Sequence, residues 1–396
     1  MLKATHQQTK EHNRNLVLKT IFEHTRTSRA EIARFTNLTR TTVSDIVADL
    51  IAEGLVTEIG MGSSIGGKSP ILISLADNSR YIIGLDLANS QFYGAVINLR
   101  GETKEMINLP AKNCSGDAAL ALVYEIIDEL THGEFRPLVG IGVGTPGLVN
   151  TRDGVVVNAV NLDWINLPLA QLLQIRYGLP VFVLNDSQAA AMGEYTYGEG
   201  SKAGESLIVI NVRHGIGAGI VIDGKLFQGD GGGAGEIGHV VVVHEGGLLC
   251  RCGNYGCLET VASVQAVVAY ARQLVQSAAY SILPEDPEKI TLSALERAFS
   301  AGDPVACQVV LRAGRYMGIA IASLVGALNI HKVMLSGDMT CFGEPWLNEI
   351  RWAVEKSSLP GLVKETQINI GRLGGNRIAL GASALLLSDY SLLFSH

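Results

Sequence analysis

Residues 206–222 read Ser206-Leu-Ile-Val-Ile-Asn-Val212-Arg-His-Gly215-Ile-Gly-Ala-Gly219-Ile-Val-Ile222, two short β-branched runs joined by a glycine-containing reversal. Such runs specify strands, and the punctuating small residues specify the turn between them. The same pattern stands earlier in the chain: Tyr81-Ile-Ile-Gly-Leu-Asp86, then Phe92 to Leu99, then Glu102 to Leu109. A helix at about Asp117 to Thr131 and strands at Leu138 to Val143 and Val181 to Leu184 follow the first series. After the second come helical material from Thr291 to Leu328, strands at Lys332 to Leu335 and Gln367 to Ile370, and helix-forming Ala382 to Leu387. One α/β unit thus occurs twice, and two α/β lobes with a cleft between them is the expected packing.

A chain of 396 residues has room for further domains, and 47% hydrophobic against 17% charged residues excludes a disordered chain. The weakly polar stretch Met317 to Ile330, interrupted by Gly318, Ser323, Gly326 and Asn329, falls short of the roughly 20 residues a bilayer requires, so no membrane span is expected. The polar opening MLKATHQQTKEHNRN lacks the apolar core of a secretory signal, which leads to the expectation of a cytoplasmic protein with reduced thiols.

Charge is unevenly placed. Residues 1–40 hold eight Lys or Arg against three Glu, a surplus of five, so a net charge of −7 leaves −12 on the remainder. A basic head on an acidic body assigns contact with a polyanion to the head. In that head Leu16, Val17, Ile21 and Phe22 recur at helical spacing, and Ser28 with Glu31 forms a capping-box pattern opening a second helix. Thr39 can cap a third helix running to about Glu53 and ended by Gly54, with Val43, Ile46, Val47 and Leu50 on its buried face. Its outward face begins Arg40, Thr41, Thr42, Ser44 and Asp45, small polar groups and one Arg of the kind a recognition helix presents to base edges. Residues 55–59 and 71–75 read as a strand pair around a Gly/Ser tip carrying Lys68, a wing whose cation suits a narrow minor groove. The DNA-contacting candidates are Ser28, Arg29, Thr39, Arg40, Thr41, Thr42, Ser44 and Lys68. The other reading is a three-helix module that binds protein.

Cys250-x-Cys252-x4-Cys257 concentrates three thiols among glycines that permit tight turns, and in a reducing compartment such spacing favours metal ligation over crosslinking. One His would complete a closed tetrahedral site, with no open position for water; a zinc ion there would be structural. Spacing alone leaves His239 and His244 open as that ligand. Cys114, Cys307 and Cys341 have no such spacing and are expected to be buried thiols.

Gly144-Thr-Pro-Gly147, Asn185-Asp186, Gly215-Ile-Gly-Ala-Gly219, Gly235-Glu-Ile-Gly-His239 and Cys250-Arg-Cys-Gly-Asn-Tyr-Gly-Cys257-Leu-Glu259 occur in the order found in the ROK family, and over nearly its whole length the chain resembles that family of repressors and sugar kinases. The resemblance implies an actin-like ATPase (ribonuclease H-like) two-lobed body behind a winged helix-turn-helix, the arrangement of ROK repressors responsive to xylose, glucose or N-acetylglucosamine. It implies boundaries at 1–75 for the DNA-binding domain, 79–187 plus 371–396 for the first lobe, and 188–370 for a second lobe with zinc loop and dimerisation surface. It assigns His239, in the family's Gly-His dipeptide, as the fourth Zn²⁺ ligand beside Cys250, Cys252 and Cys257. For sugar hydroxyls it implies Asn161, Asn185, Asp186, Glu236, His239 and Glu259, and Asn185-Asp186 directly follows an apolar strand, where ligands of α/β sheets collect.

In ROK kinases the residue matching Asp186 is the general base. The nucleotide loops depart from the kinase pattern: Leu87-Ala-Asn-Ser90 replaces a Gly-Gly-Thr turn after Asp86, Arg213-His214 replaces small residues before Gly215, and Ser336-Gly337-Asp338 replaces an adenine-side Gly-Gly. Bulky side chains there oppose the backbone approach that phosphate requires, so no ATP is expected. The resulting expectation is a sugar-responsive transcriptional repressor of carbohydrate-utilisation genes, xylose metabolism among them. Its partners would be operator DNA and a monosaccharide effector, its state a homodimer or tetramer, and no membrane would be involved. An ATP-dependent hexose kinase with an appended DNA-binding head is the alternative, favoured by Asp186; a DNA-bound scaffold for a partner protein is a third.

Overall fold

A computed structural model describes residues 6–63, 69–88, 90–112, 114–198, 204–387 and 390–394. The head opens with α1 (His6–Glu23), the short β1 (Thr27–Ser28), α2 (Arg29–Thr36) and α3 (Arg40–Ala52), followed by β2 (Val56–Met61) and β3 (Ile71–Leu75). Ser28 and Glu31 close the capping box reciprocally and Thr39 caps α3 by accepting from the Thr42 N–H; each such cap stabilises its helix by about 1 kcal/mol. Val43, Ile46, Val47 and Leu50 are buried as their spacing requires, with Val17, Leu18, Ile21, Ile32, Leu55 and Ile73 completing the head core. The wing strands pair antiparallel, and β1 adds a third strand to β3 that the sequence pattern does not reveal. Phe22 is half-buried.

The body strands are β4 (Tyr81–Leu87), β5 (Gln91–Asn98), β6 (Thr103–Pro110), β7 (Leu138–Thr145), β8 (Leu148–Asn150), β9 (Val155–Ala159), β10 (Trp164–Leu167) and β11 (Val181–Asn185), with helices α4 (Gly116–His132) and α5 (Leu169–Tyr177) between them. The chain continues through α6 (Asp186–Tyr197), β12 (Leu207–Val212), β13 (Ile216–Ile222), β14 (Lys225–Phe227), α7 (Glu259–Ala262), α8 (Val264–Val275), α9 (Leu292–Ser300) and α10 (Pro304–Leu328). It ends in β15 (Lys332–Gly337), α11 (Gly343–Ser357), α12 (Pro360–Val363), β16 (Gln367–Ile370), α13 (Arg377–Leu386) and a 3-10 turn at Tyr390–Phe394.

Contacts divide the chain into two compact units, Met1–Asn185 with Ile378–His396, and Asp186–Arg377. Each contains a five-stranded sheet, ordered β6-β5-β4-β7-β11 in the first and β14-β13-β12-β15-β16 in the second. In both, three strands form an antiparallel meander whose first member pairs in parallel with a fourth, and the fourth with a fifth. The duplication read from the sequence is therefore a duplication of topology, as an actin-like ATPase body requires.

In the first unit α13 returns to cover the sheet, lying so close that a Cβ on Gly84 or Gly142 would stand 2.3 or 2.2 Å from the Ala379 or Ala382 carbonyl oxygen. The Tyr390–Phe394 turn then meets the head: Phe22 contacts Tyr390 edge-on at 6.0 Å between centroids, and the Arg14 guanidinium lies 3.8 Å over the Phe394 ring. Arg100, in the β5–β6 turn, donates to the Phe22 carbonyl at 2.5 Å. In the second unit α10 packs along α11 and α8 around Trp346, Met317 and Ile321, all fully buried. By length and composition α10 alone among the described helices could cross a membrane. It is longer than the weakly polar stretch at its C-terminal end because Asp303 and Pro304 start it early.

Candidate functional site

The head presents Arg40, Thr41 and Ser44 as exposed side chains on α3, with Thr42 half-buried and Thr39 holding its cap. Arg29 is half-buried and pairs with Glu58 of the wing at 3.0 Å. Ser28 is buried at 3% exposure, with its hydroxyl donating to Glu31 at 2.8 Å. That corrects its place among the contacting residues: the hydroxyl fixes the start of α2 and is not available to phosphate. Lys68 lies outside the described residues.

The second unit gathers the remaining chemistry at the ends of its sheet. Asp186 is the first residue of α6, and the Ser187 hydroxyl donates to its Oδ1 at 3.2 Å. Glu236 precedes a 3-10 turn, Ile237–His239, which β13 anchors: the Ala218 N–H donates to the Gly235 carbonyl at 2.7 Å. Glu259 opens α7, its side chain only 11% exposed, accepting from the Ile216 N–H at 3.1 Å and from Arg251 at 2.9 Å. Burial raises the pKa of Asp186, against the opposing charge of Arg213 and the bonds from Ser187. It raises that of Glu236 too, where nearby Asp186 and Glu259 add repulsion and His239 opposes. Three carboxylates in partly dehydrated surroundings want hydrogen-bond donors, which a polyol supplies. Asn161 and Asn185 belong to the first unit, where Asn185 Nδ2 donates to the Gly147 carbonyl at 2.8 Å and Asn161 is exposed on a 3-10 turn.

The glycine run of β13 serves packing. A Cβ on Gly217 would stand 2.4 Å from Ser187 Oγ, and one on Gly219 2.3 Å from Ala191 Cβ, so these glycines let α6 lie against the strand. A Cβ on Gly215 would stand 2.6 Å from Glu259 Oε2. The Arg213 N–H donates to the Gly215 carbonyl at 2.9 Å and the Ile216 N–H to Glu259, so two of the four amides of this turn have intramolecular partners. His214 is exposed at the turn, its pKa lowered by partial burial and by Arg251.

His239, Cys250, Cys252 and Cys257 converge, with their ligand atoms all within 4.8 Å of one another; His244 is not in the group. Cys252 and Cys257 Sγ are 3.7 Å apart, and Cys250 Sγ lies 3.5 Å from His239 Nδ1. These are the edges of a tetrahedron whose legs are about 2.3 Å to sulfur and about 2.1 Å to nitrogen, so the set fits Zn²⁺ and is too open for a disulfide. The loop is built for it: the Cys250 N–H donates to the Asn254 carbonyl at 2.7 Å, and the Gly253 N–H to the Cys250 carbonyl at 2.9 Å. Burial pushes the Cys257 thiol up to about 12, so ionising it requires a cation. The other imidazole nitrogen of His239 faces Glu236 at 3.9 Å, beyond hydrogen-bond distance. The remaining cysteines differ from expectation: Cys114 and Cys307 are half-buried, and Cys341 is exposed.

The sequence pattern did not single out Arg251 or Ser187. Only their neighbours, a cysteine pair and an Asn-Asp step, could have drawn attention to them.

Comparison with known proteins places this architecture. The ROK family pattern matches residues 82–389, and the winged helix-turn-helix DNA-binding pattern matches residues 11–57. The chain belongs to the ROK family and carries a winged helix-turn-helix head. It is 34% identical over 393 residues to the xylose repressor of Caldicellulosiruptor bescii, covering 98% of each chain. It is 33% identical to the glucokinase of Halalkalibacterium halodurans, over 78% of this chain and 96% of that one. Among solved structures, a ROK family transcriptional regulator, itself a homologue of the E. coli MLC protein, superposes with a TM-score of 0.85 at 29% identity, over 98% of both chains.

Proposed function

We propose that this protein is a sugar-responsive transcriptional repressor. Its winged helix binds operator DNA, and a monosaccharide effector is held by Asp186, Glu236 and Glu259 with His239 in the second unit. The observation that carries the reading is the union, on one chain, of an exposed polar α3 and a carboxylate set poised beside a Cys3His cluster. The full-length likeness to a xylose repressor, head included, supports it. Zn²⁺ held by His239, Cys250, Cys252 and Cys257 would pin the loop from Val240 to Leu258 and fix the ring that faces Glu236. A closed four-ligand set leaves no position for a reacting water, so the ion's contribution is structural. Arg40, Thr41, Thr42 and Ser44 would meet base edges, with Arg29 and Lys68 at the backbone. The protein would act in the cytoplasm as a homodimer matching a two-fold operator.

A hexose kinase is the second reading, favoured by Asp186 at the head of α6 and by the likeness to a glucokinase. Against it stand Arg213 and His214 beside Gly215, and the prior engagement of the Arg213 and Ile216 amides. The deciding experiment measures operator affinity by fluorescence anisotropy with xylose, glucose or N-acetylglucosamine present, and ADP release with ATP and the same sugars. Weakened operator binding without turnover is expected; turnover abolished by Asp186→Asn would make the kinase the answer.

A further inference from the structure

Glu259 is an acceptor whose two oxygens already hold one donor each: Ile216 N–H at 3.1 Å on Oε2 and Arg251 Nη2 at 2.9 Å on Oε1. The two donors differ in kind. Ile216 is backbone of a core strand, with its side chain 4% exposed, and cannot withdraw. Arg251 reaches in from solvent with 49% of its side chain exposed, while its backbone is held between Cys250 and Cys252 by the tight turn of that loop. Among the described residues the guanidinium is thus the movable partner of a nearly buried carboxylate. Gly215 makes the pairing possible, since a Cβ there would crowd Glu259 Oε2 at 2.6 Å and stand 3.9 Å from Arg251 Nη2.

We propose that Arg251 is an internal competitor for Glu259: in the sugar-free chain it holds the carboxylate oxygen that a sugar hydroxyl takes, and it is displaced toward solvent when the sugar binds. The inference rests on Glu259 being a sugar-binding group. The pairing keeps a carboxylate that is largely out of water from lacking a donor when the site is empty. It also sets effector affinity below what the carboxylates alone would give, because each binding event must break the ion pair. A sugar carries no charge, so the cost of displacement is the part of binding that salt can change: screening weakens the competitor and leaves the hydroxyl contacts in place.

Titration calorimetry on the full-length protein, with xylose, glucose and N-acetylglucosamine, tests this. Arg251→Ala is expected to tighten binding of the effector about two- to fivefold, the range of a half-exposed ion pair. Wild-type affinity is expected to rise between 50 mM and 500 mM KCl, conditions spanning weak to strong screening, and the rise is expected to vanish in Arg251→Ala. Arg251→Lys, which keeps the charge, should retain the salt response. If Arg251→Ala, with an unchanged melting curve, binds more weakly or equally, then Arg251 orients Glu259 and the proposal is wrong. A wild-type chain that binds none of these sugars would instead remove the sugar-site reading itself.

Discussion

Glu236 shows how a single side chain can be placed against its own stability. Burial and the charges of Asp186 and Glu259 raise its pKa, as burial raises that of Asp186. With the folded value above the unfolded one, the folded chain holds extra protons. The stability this confers is complete below the ordinary carboxylate pKa of about 4.3 and is lost as pH rises through the raised value. At neutral pH the ionised group therefore costs some stability, a cost that its partial exposure keeps small. Because 44% of its side chain meets solvent, which screens the effect, Glu236→Gln is expected to raise Tm by no more than about 1 °C at pH 7.5, a gain that fades toward pH 4, while the heat of sugar binding should fall. A thermal-shift series across pH checks both; a lowered Tm at pH 7.5 would show that the carboxylate is a net structural contributor. At this scale the sequence was legible wherever a residue's role follows from near neighbours. Ser28 and Glu31 form the cap their spacing announces. Arg251 was not legible, because nothing local says that a cysteine-flanked arginine will reach the carboxylate of Glu259.

Elements were legible in proportion to the contrast between their faces. α3 buries one face and exposes the other, and its cap, end and buried residues match the pattern of its sequence. α6 buries every residue from Ser187 to Glu194, and a helix covered all round leaves no periodic trace. β8 to β10 are only 3 to 5 residues long and lack the length that makes alternation recognisable. The loop bearing the cysteines has little secondary structure, two isolated bridges at Val241–Cys257 and Leu249–Tyr255 among its described residues. Its conformation should therefore depend on an ion held by the Cys3His set. Cys257→Ser, or a strong chelator, is expected to reduce bound zinc from one equivalent per chain to near none by atomic absorption, and to lower Tm by several degrees. Because the Cys257 thiol is pushed up to about 12, zinc uptake at pH 7.5 should release protons in proportion to the thiols ionised. An unchanged Tm on full removal of the ion would show that the loop folds without it.

For the whole molecule, the prediction is a linkage. If the sugar weakens operator binding by some factor, operator DNA must weaken sugar binding by the same factor, typically about 5- to 150-fold. Anisotropy and calorimetry on the same preparation should give matching ratios, and an operator affinity indifferent to every aldose would reject the coupling. Arg40→Ala should lower operator affinity and relax sequence preference, while its effect on sugar affinity in the absence of DNA stays small. In the first unit the head is tied to distant chain: Phe22, one of the helically spaced apolar residues of α1, meets Tyr390, and Arg14 lies over Phe394. Local periodicity cannot identify a partner supplied by the other end of the polypeptide.

What the sequence by itself determined were the properties written in short-range order: helix caps, strand alternation, the repeated α/β unit, the thiol spacing and the polar face of α3. The tertiary structure brought His239, which the resemblance named and spacing left open, to the three thiols, and it alone decided that the glycines of β13 make room for α6, that Gly215 makes room for Glu259, and that Arg251 occupies Glu259. The physical reason is range. Backbone propensity and burial patterning act over a few residues, whereas ligand sets, close approaches and ion pairs are settled when distant segments compete for the same space and the same hydrogen-bond acceptors.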